Sequence, residues 1–265
     1  MKHVVFYSGG ICSYFTAKRV IEKFGKENVI LLFTDTLIED DDLYRFIDET
    51  TKKLGATFVS IADGRTPFEV YKDSKFLGNN RIAPCSHILK QATAKKWILE
   101  NCDPQDTILY LGLDWTETHR FASPRKNWNP YQVEYPMSEK PYMTKADMLD
   151  ELKAENIKAP RLYEMGFAHN NCGGFCCRAG QGHFARLLEK LPKKFEEAEK
   201  QEEFMRQYLD KDVAFMKKTV KGVARPYTLR QLRKDIANKC EVDLFDIGGC
   251  GCFVDDVDDK EVKNE

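Results

Sequence analysis

A glycine-rich turn near the amino terminus has the residue types that bind phosphate. A short apolar segment is followed by a segment with helical spacing, and between them lies the run Ser8-Gly9-Gly10-Ile11-Cys12-Ser13. Adjacent glycines let the backbone approach an anion closely, and the amides and dipole at a helix start favour negative charge. The hydroxyl groups of Ser8 and Ser13 add donors. The sequence therefore predicts a phosphate site, with a plain turn capped by Ser13 as the alternative.

The cysteines suggest a second kind of site. There are nine, and the amino terminus does not have the pattern of a secretion signal, which favours reduced thiols or metal ligands over a disulfide framework. Cys172 and Cys176 flank a Gly-Gly pair, and Cys250 and Cys252 form a second pair beside glycines. Four thiolates suit a tetrahedral zinc ion or a four-iron iron-sulfur cluster. The alternative is a set of small buried residues around glycine turns.

Charged residues that follow the fourth predicted strand are candidates for acid-base chemistry. Glu117 is placed to act as a general base or a magnesium ligand. Arg120, with Arg125 and Lys126 nearby, can neutralise a leaving pyrophosphate or an acidic substrate. The alternatives are a surface ion pair between Glu117 and Arg120 and a solvated loop.

Alternating strands and helices position these residues in the first half of the chain. Apolar and β-rich runs predict strands at 3–7, 28–35, 57–62 and 107–113, and helical spacing predicts helices at 13–24, 40–54 and 88–101. This alternation predicts a doubly wound, Rossmann-like α/β fold with a parallel sheet, whose ligands bind outside the carboxyl ends of the strands.

The second half is predicted to be a smaller, mostly helical and cysteine-rich region. Residues 116–142 have the composition of a long functional loop or connector, and residues 166–182 are too irregular for a helix or strand. Helices are predicted at 144–156, 193–218 and 228–237. We therefore divide the chain into a nucleotide-binding domain at 1–142, a substrate or metal region at 143–254 and an acidic, disordered tail at 255–265.

The overall charge excludes a general attraction to nucleic acid or membranes. Lys and Arg number 41 and Asp and Glu 42, so the net charge is −1. A basic run from Lys211 to Lys234 is the one local candidate for binding nucleic acid phosphates, and the exposed face of a helix is its alternative. No apolar run reaches the roughly 20 residues that span a bilayer. The sequence predicts a cytoplasmic protein.

Four motifs, taken in order, resemble a known superfamily. The turn at 8–13 resembles the PP-loop of the ATP pyrophosphatase (adenine nucleotide α-hydrolase) superfamily. Its phosphoadenosine phosphosulfate reductase-like branch has elements similar to Phe33-Thr34-Asp35-Thr36, to the segment 112–120, and to the segment 159–167 that leads into the paired cysteines. Cys12 stands where many members have Asp, and Asp114 stands where the branch often has Arg.

The resemblance implies a nucleotide-dependent enzyme. Ser8, Gly9, Gly10, Cys12 and Ser13 would hold the phosphates of ATP, Thr34 and Asp35 would meet the adenosine, and magnesium would bridge the phosphates. Asp35 is the nearest residue that can replace the carboxylate missing at position 12. The branch also places substrate-contacting residues near Cys85, where a helix start would lower the thiol pKa and make it a candidate nucleophile. A half-buried structural cysteine is the alternative.

The implied reaction is adenylation of an acceptor substrate, loss of pyrophosphate and displacement of the adenylate by sulfur or nitrogen. The preferred hypothesis is sulfur transfer, including transfer onto a nucleotide or nucleic acid. A phosphoadenosine phosphosulfate or adenylylsulfate reductase that uses a late thiol is the first alternative, although its Glu-Cys-Gly-x-His signature is absent. A nucleotide-binding module without catalysis is the second.

Overall fold

A parallel sheet forms the centre of the structure. The computed structural model describes residues 1–220, 222–249 and 252. In these residues the main sheet contains β1 (Lys2–Phe6), β2 (Val29–Asp35), β3 (Thr57–Ala62), β4 (Thr107–Tyr110) and β5 (Gln132–Glu134). Its order is β3-β2-β1-β4-β5, and each pairing is parallel. The predicted doubly wound α/β fold is confirmed.

Helices cover both faces of this sheet. The described helices are α1 (Ile11–Phe24), α2 (Asp41–Leu54), α3 (Pro67–Asp73), α4 (Thr93–Asn101), α5 (Ala122–Asn127), α6 (Lys145–Ala154), α7 (Arg161–Glu164), α8 (Gln181–Lys190), α9 (Pro192–Leu209) and α10 (Leu229–Ala237). Along β1, Val5 packs in the cluster that includes α1 and α2, whereas Val4 and Phe6 pack in the cluster that includes α4. Successive side chains of a strand point to opposite faces, so a strand buried on both sides reads as a continuous apolar run.

A second apolar core lies among the carboxyl-terminal helices. Phe184, Phe195 and Phe215 are fully buried there, beside the antiparallel hairpin of β6 (Met216–Val220) and β7 (Val223–Tyr227). Helix α6 packs instead on the first core, through Met148 and Leu152. The division of the chain at residue 142 stays a prediction.

Two segments differ from the sequence-based expectation. The helix predicted at 193–218 ends at Leu209, because Asp210 adopts a left-handed conformation (φ 50°) and β6 begins six residues later. The predicted connector at 116–142 contains α5 and β5, and β5 extends the sheet by pairing with β4. A three-residue strand is too short for an alternating pattern to reveal it.

Smaller differences concern element boundaries and types. The strand predicted at 107–113 ends at Tyr110. The helix predicted at 88–101 begins as a π-helical segment, Ser86–Ala92, before α4. The acidic tail predicted at 255–265 lies outside the described residues. Among the helices that the structure does describe, none combines the length and the apolar character needed to cross a membrane.

Candidate functional site

The glycine turn connects β1 to α1, and its shape depends on Gly9. Gly9 has a φ of +74°, and a Cβ atom there would lie 2.9 Å from Leu43 Cγ on α2. Gly10 is the N-cap of α1, with an ordinary φ of −90° and no side chain to cap the helix. The amides at the start of α1 are therefore not capped by the Gly10 position itself. This is the arrangement that binds anions at a helix start.

The serines shape the turn from inside. Ser13 Oγ donates a hydrogen bond to the Gly10 carbonyl at 2.8 Å, and Ser8 Oγ donates to Ser13 Oγ at 3.4 Å. Because α1 begins at Ile11, Ser13 lies within the first turn of the helix and is not its N-cap. The alternative in which Ser13 caps the helix is therefore wrong.

A large cavity of about 800 Å³ opens over this turn, at the carboxyl ends of β1 and β4. Of the predicted site residues, Ser8, Gly10, Cys12, Ser13, Glu117, Arg120 and Cys252 line it. The two strand ends approach closely, since a Cβ atom on Gly112 would lie 3.0 Å from the Ser13 nitrogen. Gly112 thus brings the 112–120 segment against the glycine turn.

Acidic and basic groups meet at the edge that follows β4. Asp114 caps the short 3₁₀ helix Trp115–Arg120, where its carboxylate accepts a hydrogen bond from the Thr116 amide at 2.8 Å. Glu117 pairs with Arg120. This is the ion pair that the sequence left as an alternative, and both of its members line the cavity.

Cys12 presents a neutral thiol at this edge. Burial raises its pKa, and the negative charges of Asp114 and Glu117 raise it further. A group that stays protonated cannot take the place of a carboxylate toward a metal ion. The carboxylates of Asp114 and Glu117 are the acidic groups lining this edge of the cavity.

Three predicted residues have other surroundings. Asp35 accepts hydrogen bonds from the Leu37 amide at 2.8 Å and from the Tyr44 hydroxyl at 2.9 Å. Neither Asp35 nor Thr34 is among the residues lining the large cavity. Gly9 does not line the cavity either, and its carbonyl accepts a hydrogen bond from Asn170 Nδ2 at 3.1 Å. Gly9 therefore fixes the conformation of the turn.

A second, small cavity is surrounded by thiols. Its volume is about 20 Å³, and its cysteines are Cys85, Cys172, Cys176, Cys177 and Cys252. The Sγ atoms of Cys85 and Cys177 lie 3.9 Å apart, and the Tyr71 hydroxyl lies 3.2 Å from Cys85 Sγ. We call this the thiol cavity. It brings Cys85 to the late cysteines, a grouping that their spacing in the sequence did not reveal.

The thiols differ in acidity. A hydrogen bond from Cys177 lowers the pKa of Cys85, and the Tyr71 hydroxyl and the Lys90 ammonium lower it further. The neighbouring thiol contributes most to this lowering, and burial opposes it. The role of Cys85 as a nucleophile stays a prediction. Burial raises the pKa of Cys172.

The two cavities adjoin each other, and Lys90, Arg178 and Cys252 line both. Lys90 Nζ lies 3.8 Å from Glu39 Oε1, and both side chains are almost fully buried. Glu39 also accepts hydrogen bonds from Thr36 Oγ1 at 2.9 Å and from the Cys172 amide. This network ties the end of β2 to the cysteine segment and places positive charge where the cavities meet.

The thiol cavity has the donor chemistry of a soft-metal site, since thiolates bind zinc and iron-sulfur clusters. In residues 1–220, 222–249 and 252, however, no three cysteine, histidine or acidic side chains converge closely enough to hold an ion. The predicted set of Cys172, Cys176, Cys250 and Cys252 includes one residue, Cys250, that lies outside the described part. The metal centre therefore stays a prediction.

Sequence reasoning missed several residues that line the large cavity. These include Lys145, Asn170 and Arg178. Tyr163 also lines the cavity, and it lies in the segment 159–167 that resembles the superfamily, although the sequence assigned it no role. Lys145 begins α6, more than 130 residues from the glycine turn, and its spacing carries no signal because tertiary folding alone brings it there.

Comparison with known proteins gives likenesses of fold. No family model and no curated protein match the sequence. Among solved structures, the chain is similar to a phosphoadenylyl-sulfate reductase from Candida auris in a phosphate complex, at 15% identity and a TM-score of 0.46 over 63% of this chain and 79% of that one.

Two further solved structures are similar. The U34-tRNA thiolase NcsA from Methanococcus maripaludis, with its [4Fe-4S] cluster, has 14% identity and a TM-score of 0.47, over 100% of this chain and 80% of that one. The NH3-dependent NAD synthetase from Campylobacter jejuni, in complex with nitrate, has 12% identity and a TM-score of 0.40, over 79% and 83%. At these identities the likeness concerns the fold alone.

Proposed function

We propose that this protein is an ATP-dependent enzyme that adenylates an acceptor substrate with release of pyrophosphate and then transfers sulfur to the activated position with displacement of AMP. The observation that carries the proposal is the junction of two cavities. The large one opens over a glycine turn suited to phosphates, and the small one is surrounded by thiols. Activation and sulfur chemistry would therefore occur side by side.

The phosphate end of ATP is assigned to the glycine turn. The helix dipole of α1 and the amides at its start favour an anion, and Ser8 and Ser13 line the same wall. Arg120, across the cavity edge, would stabilise the charge that develops on the leaving pyrophosphate. Cys12 contributes its neutral thiol to this wall, and Gly10 allows close approach.

Magnesium fits the acidic edge in the way it commonly binds at nucleotide sites. It takes one or two carboxylates together with phosphate oxygens and keeps several waters. Asp114 and Glu117 line the cavity and would supply those carboxylates. When bound, the ion would neutralise phosphate charge. For Asp35, which bonds to Leu37 and Tyr44, a role at the outer edge remains a prediction.

Sulfur delivery is assigned to the thiol cavity. Cys85 is the proposed nucleophile, because it begins a helical segment and contacts both Cys177 and Tyr71. A sulfane-sulfur donor would load it as a persulfide, whose outer sulfur attacks the adenylated position and displaces AMP. The Cys177 thiol then breaks the S–S bond, which releases the thiolated product and leaves a Cys85–Cys177 disulfide for an external dithiol to reduce. An acceptor on a nucleotide or nucleic acid is part of the proposal. The hairpin and α10 expose Lys217, Arg225 and Lys234, although Arg233 of the same run pairs with Glu199.

One observation favours a second candidate, a sulfonucleotide reductase. Cys252 lines both cavities, so a late thiol lies beside the space assigned to the nucleotide. Such an enzyme would reduce a sulfonucleotide and would release no pyrophosphate from ATP. Replacing Cys252 by serine would abolish its turnover and leave nucleotide binding intact.

A matched pair of substitutions at Gly10 tests the ATP site. A Cβ atom at this position would lie 3.4 Å from the Tyr163 hydroxyl, an ordinary contact, so Gly10→Ala is the control for side-chain bulk. Gly10→Asp adds a negative charge where phosphate is proposed to bind. We expect Gly10→Asp to weaken ATP binding at least tenfold relative to Gly10→Ala, measured by equilibrium dialysis.

Equal ATP affinities in the two variants would contradict the phosphate site. Pyrophosphate release from ATP, measured for the wild-type protein with candidate acceptors, distinguishes the adenylating enzyme from the sulfonucleotide reductase, which would release none. ATP binding without pyrophosphate release or sulfonucleotide reduction would indicate the non-catalytic module.

A further inference from the structure

Lys145 and Tyr163 face the glycine turn from the part of the chain beyond the sheet. We propose that these two residues form a clamp that binds the phosphate groups of the nucleotide, Lys145 through its charge and Tyr163 through its hydroxyl. The inference rests on the proposed ATP site and assigns it two ligand-binding residues. Both line the large cavity, and Lys145 Nζ lies 4.3 Å from the centre of the Tyr163 ring.

The Tyr163 hydroxyl lies at the start of α1. It accepts a hydrogen bond from the Ile11 amide at 3.3 Å, and it lies beside Gly10. The Ile11 amide is the first in the helix, so the hydroxyl satisfies this amide and lies beside the other amides of the first turn, where a phosphate would approach. A phenol hydroxyl has both an acceptor and a donor function, so one such group can contact a helix amide and a phosphate oxygen together.

Lys145 supplies a positive charge that the turn lacks. The run from Ser8 to Ser13 contains no lysine or arginine, whereas a triphosphate carries several negative charges. The Lys145 ammonium donates to the Ala168 carbonyl at 2.9 Å and to the Phe167 carbonyl at 3.4 Å. Its third N–H is not used by these carbonyls, and desolvation lowers its pKa. A nearby anion would offset that desolvation.

Both residues are held in place by neighbouring contacts. Thr144 caps α6 and shares a capping box with Asp147, which fixes the start of the helix at Lys145. Helix α7 is anchored because the Arg161 amide donates to Asp42 at 2.7 Å and its guanidinium donates to Asp40 at 2.9 Å. A preorganised pair loses little freedom when a ligand binds.

Two substitutions with matched controls test the clamp. We expect Lys145→Met to weaken ATP binding about tenfold or more and Tyr163→Phe about threefold to tenfold. The difference is expected because a hydrogen bond between two charged groups is stronger than one that a neutral hydroxyl donates. Lys153→Met, on an exposed position of the same helix, and Tyr142→Phe, at an exposed tyrosine, should leave the affinity unchanged. Adenosine lacks phosphates, so its affinity should be the same in all variants.

Calorimetric titrations with ATP and with adenosine measure these effects, and Lys145→Arg should retain most of the ATP affinity. Loss of adenosine binding together with ATP binding in Lys145→Met would overturn the clamp, since the defect would then lie outside the phosphates. Unchanged ATP affinity in Lys145→Met and Tyr163→Phe would also overturn it. Wild-type protein that binds no ATP would refute the proposed function itself, which is a separate result.

Discussion

Glu202 is a buried carboxyl group that joins three elements behind the thiol cavity. It lies on α9, with only 1% of its surface exposed. One carboxyl oxygen accepts a hydrogen bond from the Phe215 amide at 2.9 Å, before β6, and the other accepts from the Leu229 amide at 2.7 Å, at the start of α10. Phe215 in turn contacts Phe175, which lines the thiol cavity. We predict that this carboxyl group makes the stability of the protein depend on pH.

The size of the effect follows from the pKa of Glu202. Burial raises it from 4.5 to about 7, although the two amide donors oppose the shift. Below pH 4.5 the group is protonated in both folded and unfolded chains. Between pH 4.5 and 7 the folded chain keeps the proton that the unfolded chain releases, so stability falls as pH rises, by up to about 1.4 kcal/mol per pH unit. The total contribution is about 3 kcal/mol, and it is lost above pH 7.

The assay compares wild-type protein with Glu202→Gln, which cannot ionise. Urea denaturation at pH 5 and pH 8 gives the free energy of unfolding of each. We expect the difference between the two proteins to shift by about 2–3 kcal/mol between these pH values, in favour of the variant at pH 8. Glu203→Gln, at the neighbouring half-exposed position, is the control. A difference that stays constant from pH 5 to pH 8 would refute the reasoning.

Two more predictions concern the turn and the thiols. Gly9→Ala should lower the free energy of unfolding by about 2 kcal/mol or more, because Gly9 has a positive φ and a Cβ atom there would press against Leu43. Gly64→Ala is the control, since Gly64 has a positive φ but open surroundings, and it should lower the stability less in thermal denaturation. Equal losses of stability would show that the contact with Leu43 does not contribute. Protein purified without oxygen should contain zinc, or iron with acid-labile sulfide. Cys172→Ser should lower this metal content, whereas Cys240→Ser, at an exposed thiol, should leave it unchanged. Unchanged metal content in Cys172→Ser would contradict the role of Cys172 as a ligand.

The fold of the first half is largely predictable from the sequence. Strands β2 and β3 lie within one residue of their predicted limits, because each is a run of β-branched and apolar residues bounded by polar ones. Helix α2 is also predicted closely, since Asp40 caps it and Gly55 ends it. The sequence did not predict helix α3, although Thr66 and Glu69 form a capping box, because a helix of seven residues is too short for a helical repeat of apolar residues to stand out.

The site is only partly predictable, and the reason is distance along the chain. The glycine turn is local, so its residue types reveal it. The thiol cavity brings together Cys85 and Cys177, which are 92 positions apart, and no spacing rule relates them. Asp35 lies in a segment that resembles a nucleotide-contacting element of the superfamily, and its carboxylate bonds to Leu37 and Tyr44 beside it. Its role at the nucleotide stays a prediction.

The charges at the junction of the cavities bear directly on how the two proposed steps would be coupled. A thiolate that attacks an adenylate approaches a negatively charged phosphate, and like charges about 4 Å apart repel by several kcal/mol at protein surfaces. Lys90 and Arg178 line both cavities, so their positive charge lies between the thiols and the space assigned to the phosphates. The buried pair of Lys90 with Glu39 holds one of these cations in position. Since Glu39 also accepts a hydrogen bond from the Cys172 amide, one carboxylate contacts both the cation and the cysteine segment. The same network that shapes the thiol cavity would therefore set the repulsion that sulfur transfer must overcome.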